Sequence, residues 1–565
     1  MHVLTHPGKL SMETAETGSK LRPPVYLAPP QNGLAGLKHW RQDMLAALVV
    51  ALVSVPLSLG IALASGAPPI CGLTSEIVAG LIFPFLGGSY VSICGPAAGL
   101  APVLFTAITD LGGGDMDRGY HVVLCVIMLA GVTQIILTWL KAAKFSRMFP
   151  MSAIHGMLAA IGFLLFSKQI PNFVGSAFHA HEFFPVILET PSEIATHLNP
   201  SVFSIGVICL LLLFQLTSLR RGPLKYIPPQ LTVVVVGAVL GHLYHLDPKF
   251  LVKLPDNLIE HGFAFPDFQD LVKALPLLPQ VALFIFMLTF VDGTESLATV
   301  QAVDRIDPFH RKSDPDRTLF AMGVSNICSS MIGGLTIIPG IIKSTTCIVS
   351  GGRTAWVNFY NAIFLVAFLL FAGGIIRTIP IAALAAVLMH IGYKLAGAHK
   401  WRSMIKLGGA DLAVFSLTIF VTLVSDLMLG IGAGMLLEAF VLMFYAKKAG
   451  LKVSALASSP IQRTEIEGEA MDVYVGDSFH CFNSLKARSI LDAIPENVKR
   501  VVVHCQPSLG LIDHSTRLYL ATLRDDLQRA GKSFEIEGLD QFKSCGSDST
   551  AFLYRPVPVP QPQTS

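Results

Sequence analysis

Ile93-Cys94-Gly95-Pro96-Ala97-Ala98-Gly99 interrupts one long apolar region, and Gly333-Gly334-Leu335-Thr336-Ile337-Ile338-Pro339-Gly340 interrupts it again. Each break opens a short helical segment, near 96–110 and 340–351. A helix that starts inside an apolar slab exposes backbone N–H groups carrying partial positive charge, which suits an anion. Paired interruptions in two halves of a membrane chain are the best sequence pointer to an alternating-access site.

Working outward from the breaks, the surrounding residues read as a membrane region. The AVILMFWYC set supplies 52% of the 565 residues and DEKR only 14%, against about a quarter charged in soluble domains. Mean hydropathy is +0.60. From Leu45 to Tyr445 apolar blocks recur near the ~20 residues that cross a bilayer. Helices are predicted near 43–64, 72–89, 96–110, 119–140, 152–170, 201–219, 228–246, 278–300, 318–333, 340–351, 355–373, 378–395, 410–428 and 429–447. Segment 171–200 lacks Lys and Arg and reads as a loop.

Basic clusters test that count through the positive-inside rule. They fall at Lys141/Lys144/Arg147, Arg220/Arg221/Lys225, Arg305/Arg311/Lys312/Arg317, Lys394/Lys400/Arg402/Lys406 and Lys447/Lys448/Lys452. These positions follow helices four, six, eight, twelve and fourteen, so both termini are expected in the cytoplasm. Residues 1–40 are polar, lack a short apolar h-region and read as a cytoplasmic segment without a cleavable signal. The transport region is placed at 41–448.

Beyond Lys448 the pattern changes to alternating strands and helices, including Val498–Gln506 as a buried strand and Ser515–Gly531 as an amphipathic helix. A small α/β domain is expected at 465–545, with a Pro-rich disordered tail at 546–565. The net charge of +3 suggests no nucleic-acid partner. Nine cysteines show no CxxC or zinc spacing, and His179-Ala180-His181-Glu182 reads as a solvated loop; no metal and no cofactor are expected. Gly430-Ile431-Gly432-Ala433-Gly434 reads as helix packing, not a phosphate loop. No P-loop, nucleophile elbow or HExxH is present, so no enzyme activity is expected.

Ionisable residues inside apolar blocks usually line a cavity or pair with one another. Glu295 and Thr299 lie four apart on one face of the eighth helix, where a carboxylate and a hydroxyl suit a Na⁺ or H⁺ coupling site. Asp292 reads either as part of that site or as a structural hydrogen-bond partner. Lys343, with Ser344 beside it, follows the tenth helix's Gly-Pro start. It would face an anion, or pair with Glu295, or both.

The ensemble resembles the SulP (solute carrier 26, prestin-type) family of inorganic anion transporters from about Trp40 to Gly538. Val55-Pro56-Leu57-Ser58, Gly95-Pro96, Glu295-Ser296-Leu297-Ala298-Thr299 and Gly333-Gly334 carry the likeness. It implies a polytopic α-helical membrane protein of about fourteen transmembrane helices in a 7+7 inverted repeat. Helices one to four and eight to eleven would form a core domain, and the remainder a gate domain. The anion cradle would comprise Pro96, Ala97 and Ala98 opposite Gly340, Ile341, Ile342, Lys343 and Ser344. Many members carry Gly-Ser-Phe-Ser-Arg-Ser where this chain has Pro339-Gly340-Ile341-Ile342-Lys343-Ser344, so sulfate, bicarbonate, chloride and carboxylates all stay open.

The C-terminal part resembles STAS domains through Asp513-His514-Ser515, which implies Ser515 as a regulatory phosphate acceptor; helix capping explains the same residues. The expected function is secondary active transport of a small inorganic anion, sulfate or bicarbonate foremost, in a bilayer that leans towards a bacterial inner membrane. The alternatives are a channel or exchanger regulated by the tail, a nucleobase-type permease, and a membrane-tethered signalling scaffold. The resemblance makes a homodimer plausible; no residue reads one out.

Overall fold

The computed structural model describes residues 29–141, 148–176, 178, 183–218, 228–254, 264–273, 275–425 and 427–556. Lys144, Arg147, Arg220, Arg221, Lys225 and the run from His179 to Glu182 lie outside them, as do most of the N-terminal segment and the last nine residues of the tail.

Fourteen helices among the described residues correspond one for one to the predicted set. They are α1 (Trp40–Ala64), α2 (Ile70–Leu86), α3 (Ala101–Gly112), α4 (Met116–Trp139), α5 (Met151–Lys168), α6 (Pro200–Ser218) and α7 (Pro229–Leu243), then α8 (Leu278–Ile306), α9 (Pro315–Met331), α10 (Ile341–Val349), α11 (Trp356–Phe371), α12 (Ile381–Ala396), α13 (Gly409–Val424) and α14 (Leu427–Lys448). Local chemistry sets their ends. Asp115 caps α4 by accepting from the Asp117 and Arg118 N–H groups, and Asp314 caps α9 through Asp316 and Arg317. Gly113, at φ 62°, terminates α3 in the left-handed conformation. Segment 171–200, read as a loop, instead holds two helices, Ile170–Val174 and Phe183–His197.

Helices α1–α4 pack with α8–α11, and α5–α7 pack with α12–α14. The tightest seam of the first group is α4 on α9. There a Cβ added to Gly131 would stand 2.7 Å from the Gly323 carbonyl, and one added to Gly323 would stand 2.8 Å from the Gly131 carbonyl. Small residues at a crossing let two backbones approach where lipid offers no hydrophobic driving force. The two groups meet where α1 touches α12 and α3 touches α5.

The tail domain is wider than 465–545. It begins with the antiparallel hairpin β3 (Ile461–Glu467) and β4 (Ala470–Val475) and continues through β5 (Ser478–Phe479), helix α15 (Leu485–Leu491), β6 (Arg500–Cys505), β7 (Leu511–Ile512), helix α16 (His514–Arg529), β8 (Ser533–Glu537) and β9 (Lys543–Ser544). It ends with β10 (Leu553–Tyr554), which pairs with β7 and β9, so residues assigned to a disordered tail close a sheet. The main sheet has the order β3-β4-β6-β8, with β4, β6 and β8 parallel. Val473, Val501, Val503, Leu520, Leu523 and Phe534 fill its core.

Candidate functional site

The two interruptions meet. Cys94–Pro96 forms β1 and Ile337–Pro339 forms β2, paired antiparallel with Gly95 opposite Ile338. Antiparallel pairing sends the chains that follow in opposite directions, so α3 and α10 start from a common point and diverge. Side chains from neighbouring helices hold this ribbon: Asn358 accepts from the Cys94 N–H at 3.0 Å, and Asn326 accepts from the Ile337 N–H at 2.7 Å.

The free backbone donors sit slightly off the expected set. Pro96 has no N–H, and the Ala97 N–H donates to the Thr336 carbonyl at 3.1 Å. The N–H groups of Ala98, Gly99 and Leu100 make no backbone hydrogen bond among the described residues. On the other strand, the Gly340 N–H donates to the Ile93 carbonyl at 2.8 Å. Ser344 accepts from the Ile93 N–H at 2.9 Å and donates to the Gly340 carbonyl at 2.8 Å, so it straps the ribbon. Ile341, Ile342 and Lys343 keep the first-turn N–H groups that a helix start leaves unpaired.

Lys343 finds a partner other than Glu295. Its ammonium lies 3.2 Å from the carboxylate of Glu76 on α2, with Lys343 2% and Glu76 0% exposed. Glu76 also accepts from Ser54 at 2.5 Å, from Ser58, and from Asn361 at 3.0 Å. Buried charges persist when paired; here the Glu76 carboxylate is also hydrogen-bonded on its remaining sites, whereas the Lys343 ammonium has the ion pair but no hydrogen bond among the described residues. Glu76 was legible in the sequence as a carboxylate inside the second apolar block, and Ser54 and Ser58 as hydroxyls four apart on the first. Gly95 leaves room for the pair, because an added Cβ would meet the Lys343 ammonium and stand 3.2 Å from the Glu76 carboxylate.

Asp292 has the hydrogen bonds of a structural partner. It is buried, accepts from Asn326 at 2.7 Å and from Ser296 at 3.0 Å, and Asn326 also donates to Gln134 at 3.0 Å. Glu295 differs. Its carboxylate lies against Gly99, where an added Cβ would strike it, and one oxygen, Oε2, is buried with no hydrogen-bond partner. Thr299 lies one turn further along the same face and is half-buried.

A cavity of about 330 Å³ reaches Gly99 and runs along α3 past Pro102, Thr106 and Asp110, walled opposite by Ile161 and Lys168 of α5. The site therefore combines two sets of unpaired backbone donors, an internally neutralised Lys343–Glu76 pair, one unpartnered carboxylate and a cavity between the two helix groups. No cluster with metal-binding composition occurs among the described residues.

Ser515 stands apart from this site. Its hydroxyl oxygen accepts from the Met151 N–H at 2.9 Å, so the start of α16 caps the start of α5, and Ser515 is 6% exposed. Asp513, not Ser515, caps α16, through the Thr516 N–H at 2.9 Å.

A family model described as the sulfate permease family matches residues 40–418. YvdB of Bacillus subtilis (strain 168), a provisionally named sulfate transporter, is 25% identical over 512 residues, covering 89% of this chain and 92% of its own. The bicarbonate transporter BicA of Picosynechococcus sp. is 23% identical over 406 residues, 70% of this chain and 69% of its own. Among solved structures, the transmembrane domain of a cyanobacterial bicarbonate transporter BicA superposes with a TM-score of 0.61 at 22% identity, covering 71% of this chain and 98% of that one. SLC26A9 superposes at 0.63 and 15% identity over 88% of this chain and 84% of that one.

Proposed function

Because the chain belongs to the sulfate permease family and its fold is that of a membrane transporter rather than an enzyme, we propose that it carries a monovalent inorganic anion, bicarbonate before sulfate, coupled to a cation at Glu295. The observation that carries this reading is the Lys343–Glu76 ion pair. It neutralises the full positive charge of Lys343 beside the cradle, leaving the partial charges of two helix starts, together about +1. A monovalent oxyanion matches that; a dianion leaves a buried charge uncompensated.

Glu295 supplies the second half of the argument. An anion entering next to an unpartnered carboxylate meets repulsion unless a proton or Na⁺ arrives with it. Co-binding of anion and cation at Gly99 and Glu295 is the elementary requirement of symport. Alternating access follows from movement of the α1–α4 and α8–α11 group against the other, the cavity lying at their seam.

The basic residues Lys394, Lys400, Arg402, Lys406, Lys447 and Lys448 stand at the ends of α12 and α14 nearest the tail domain, which supports both termini in the cytoplasm of a bacterial plasma membrane. The tail domain, STAS-like in its strand–Asp513-His514-Ser515–helix order, regulates from that side, and modification of Ser515 requires it to leave its seat on α5 first.

Uptake of labelled bicarbonate and labelled sulfate into proteoliposomes tests the selectivity. Saturable bicarbonate uptake that exceeds sulfate uptake at least about ten-fold is expected, a difference of about 1.4 kcal/mol. Preferential sulfate uptake contradicts the charge argument.

A further inference from the structure

A second cavity, of about 640 Å³, lies at the seam between the two helix groups on the side away from the tail domain, lined by the ends of α1 and α5 and the residues around Lys249 and Ile381. Lys168, the last residue of α5, is the one residue among the described residues that lines both this cavity and the cavity reaching Gly99. Lys168 thus stands where the walls of the two cavities meet.

The surroundings of the Lys168 ammonium are neutral at contact distance. It donates to the Pro102 carbonyl at 3.1 Å and stands 4.2 Å from the centre of the Phe105 ring. Among the described residues no carboxylate lies within ion-pair distance of it; Asp110, which lines the same cavity, is exposed near the end of α3. An ammonium has three protons, and the Pro102 carbonyl and the ring face account for two. Lys343, by contrast, has its charge matched by Glu76. The cation with attraction to spare is thus Lys168, at the junction, and not Lys343, at the cradle. A positive group in a low-dielectric cleft concentrates anions, and a strongly hydrated ammonium on a flexible stem exchanges partners readily.

We propose that Lys168 is the binding group of a second anion station, where a small inorganic anion is held at the junction of the two cavities before it reaches the cradle. This rests on the anion-transport reading. The Lys168–Pro102 contact joins α5 to α3, so the station spans the seam between the two helix groups. Occupation by an anion exchanges the carbonyl for a full negative charge and loosens that contact.

The test is initial-rate bicarbonate uptake by proteoliposomes bearing the parent, Lys168→Gln, Lys168→Arg and Asp110→Asn. Lys168→Gln is expected to raise KM on the order of ten-fold at low ionic strength, with maximal rate within a factor of about two. The KM difference shrinks as choline gluconate raises the ionic strength, Lys168→Arg keeps KM near the parent's, and Asp110→Asn lowers it. An unchanged KM with an altered maximal rate would make Lys168 a structural latch and overturn the station. A second readout is independent of transport: amine-reactive labelling of Lys168 in detergent, followed by mass spectrometry. Bicarbonate or chloride should slow labelling at Lys168 saturably, and no slowing overturns the station. Protection of Lys168 without uptake would instead refute the transport reading while leaving the station standing.

Discussion

Glu76 and Lys343 hold opposite charges in a place almost closed to solvent, and each depends on the other unequally. Glu76 has three neutral donors besides the ammonium, whereas Glu76 is the only carboxylate paired with Lys343 among the described residues. Glu76→Gln should therefore cost about 3–5 kcal/mol, the penalty for an orphaned buried charge. Lys343→Met should cost less, and the double variant should recover most of the stability lost in Glu76→Gln. Thermal unfolding midpoints of detergent-solubilised protein check the order; equal losses in both single variants would contradict it. At this scale the sequence was legible for residue types and weaker for partners. Glu295, Asp292 and Lys343 stood out as ionisable groups in apolar blocks, but which carboxylate meets which cation depends on helix–helix placement. Glu76, Ser54, Ser58 and Asn361 come from α2, α1 and α11, and no periodicity along one helix could join them.

Among the elements, the β1–β2 ribbon decides where both half-helices begin. Gly-Pro and Gly-Gly punctuation located the two starts, though α3 begins at Ala101 rather than near residue 96, because Cys94–Pro96 is spent on pairing with Ile337–Pro339. Strand pairing between segments so far apart leaves no trace in local pattern. Asn326 ties that ribbon to α8 and α4 through Ile337, Asp292 and Gln134. Asn326→Leu should leave several buried polar groups unmatched, at about 1–3 kcal/mol for each, and should weaken transport by letting the donors at Ile341–Lys343 drift. A variant with parent-like melting and uptake would remove Asn326 from the account. Helix α5 carries the tail contact at Met151 and the cavity junction at Lys168. Ser515→Glu should unseat the tail, because Asp513, two residues away, and Asp411, which accepts from Ser152 beside Met151, already lie buried next to that contact. Faster amide exchange in the first turn of α5 than in Ser515→Ala is expected; equal exchange in the two variants would contradict the like-charge argument.

At the scale of the whole molecule, the tail domain touches both helix groups. Lys312, beyond α8, pairs with Asp526 at 3.0 Å, while the carbonyl of Lys406, between α12 and α13, accepts from Ser547 at 2.8 Å. Its α/β pattern was readable from alternating strands and helices, but its extent was not, since the closing strand Leu553–Tyr554 is two residues long. The fourteen helices were readable as apolar blocks, but only seven helices among the described residues are long and apolar enough by themselves to cross a bilayer, and α3 and α10 were read from their Gly and Pro starts instead. The central claim joins an anion cradle of backbone donors to a cation site at Glu295, and one measurement addresses it most directly. Bicarbonate uptake into proteoliposomes is compared for the parent and Glu295→Gln, each with and without an inward Na⁺ or H⁺ gradient. The account predicts that a gradient of one of the two cations drives accumulation by the parent, and that Glu295→Gln, with the carboxylate charge gone, no longer responds to that gradient. Undiminished gradient-driven accumulation in Glu295→Gln would contradict it.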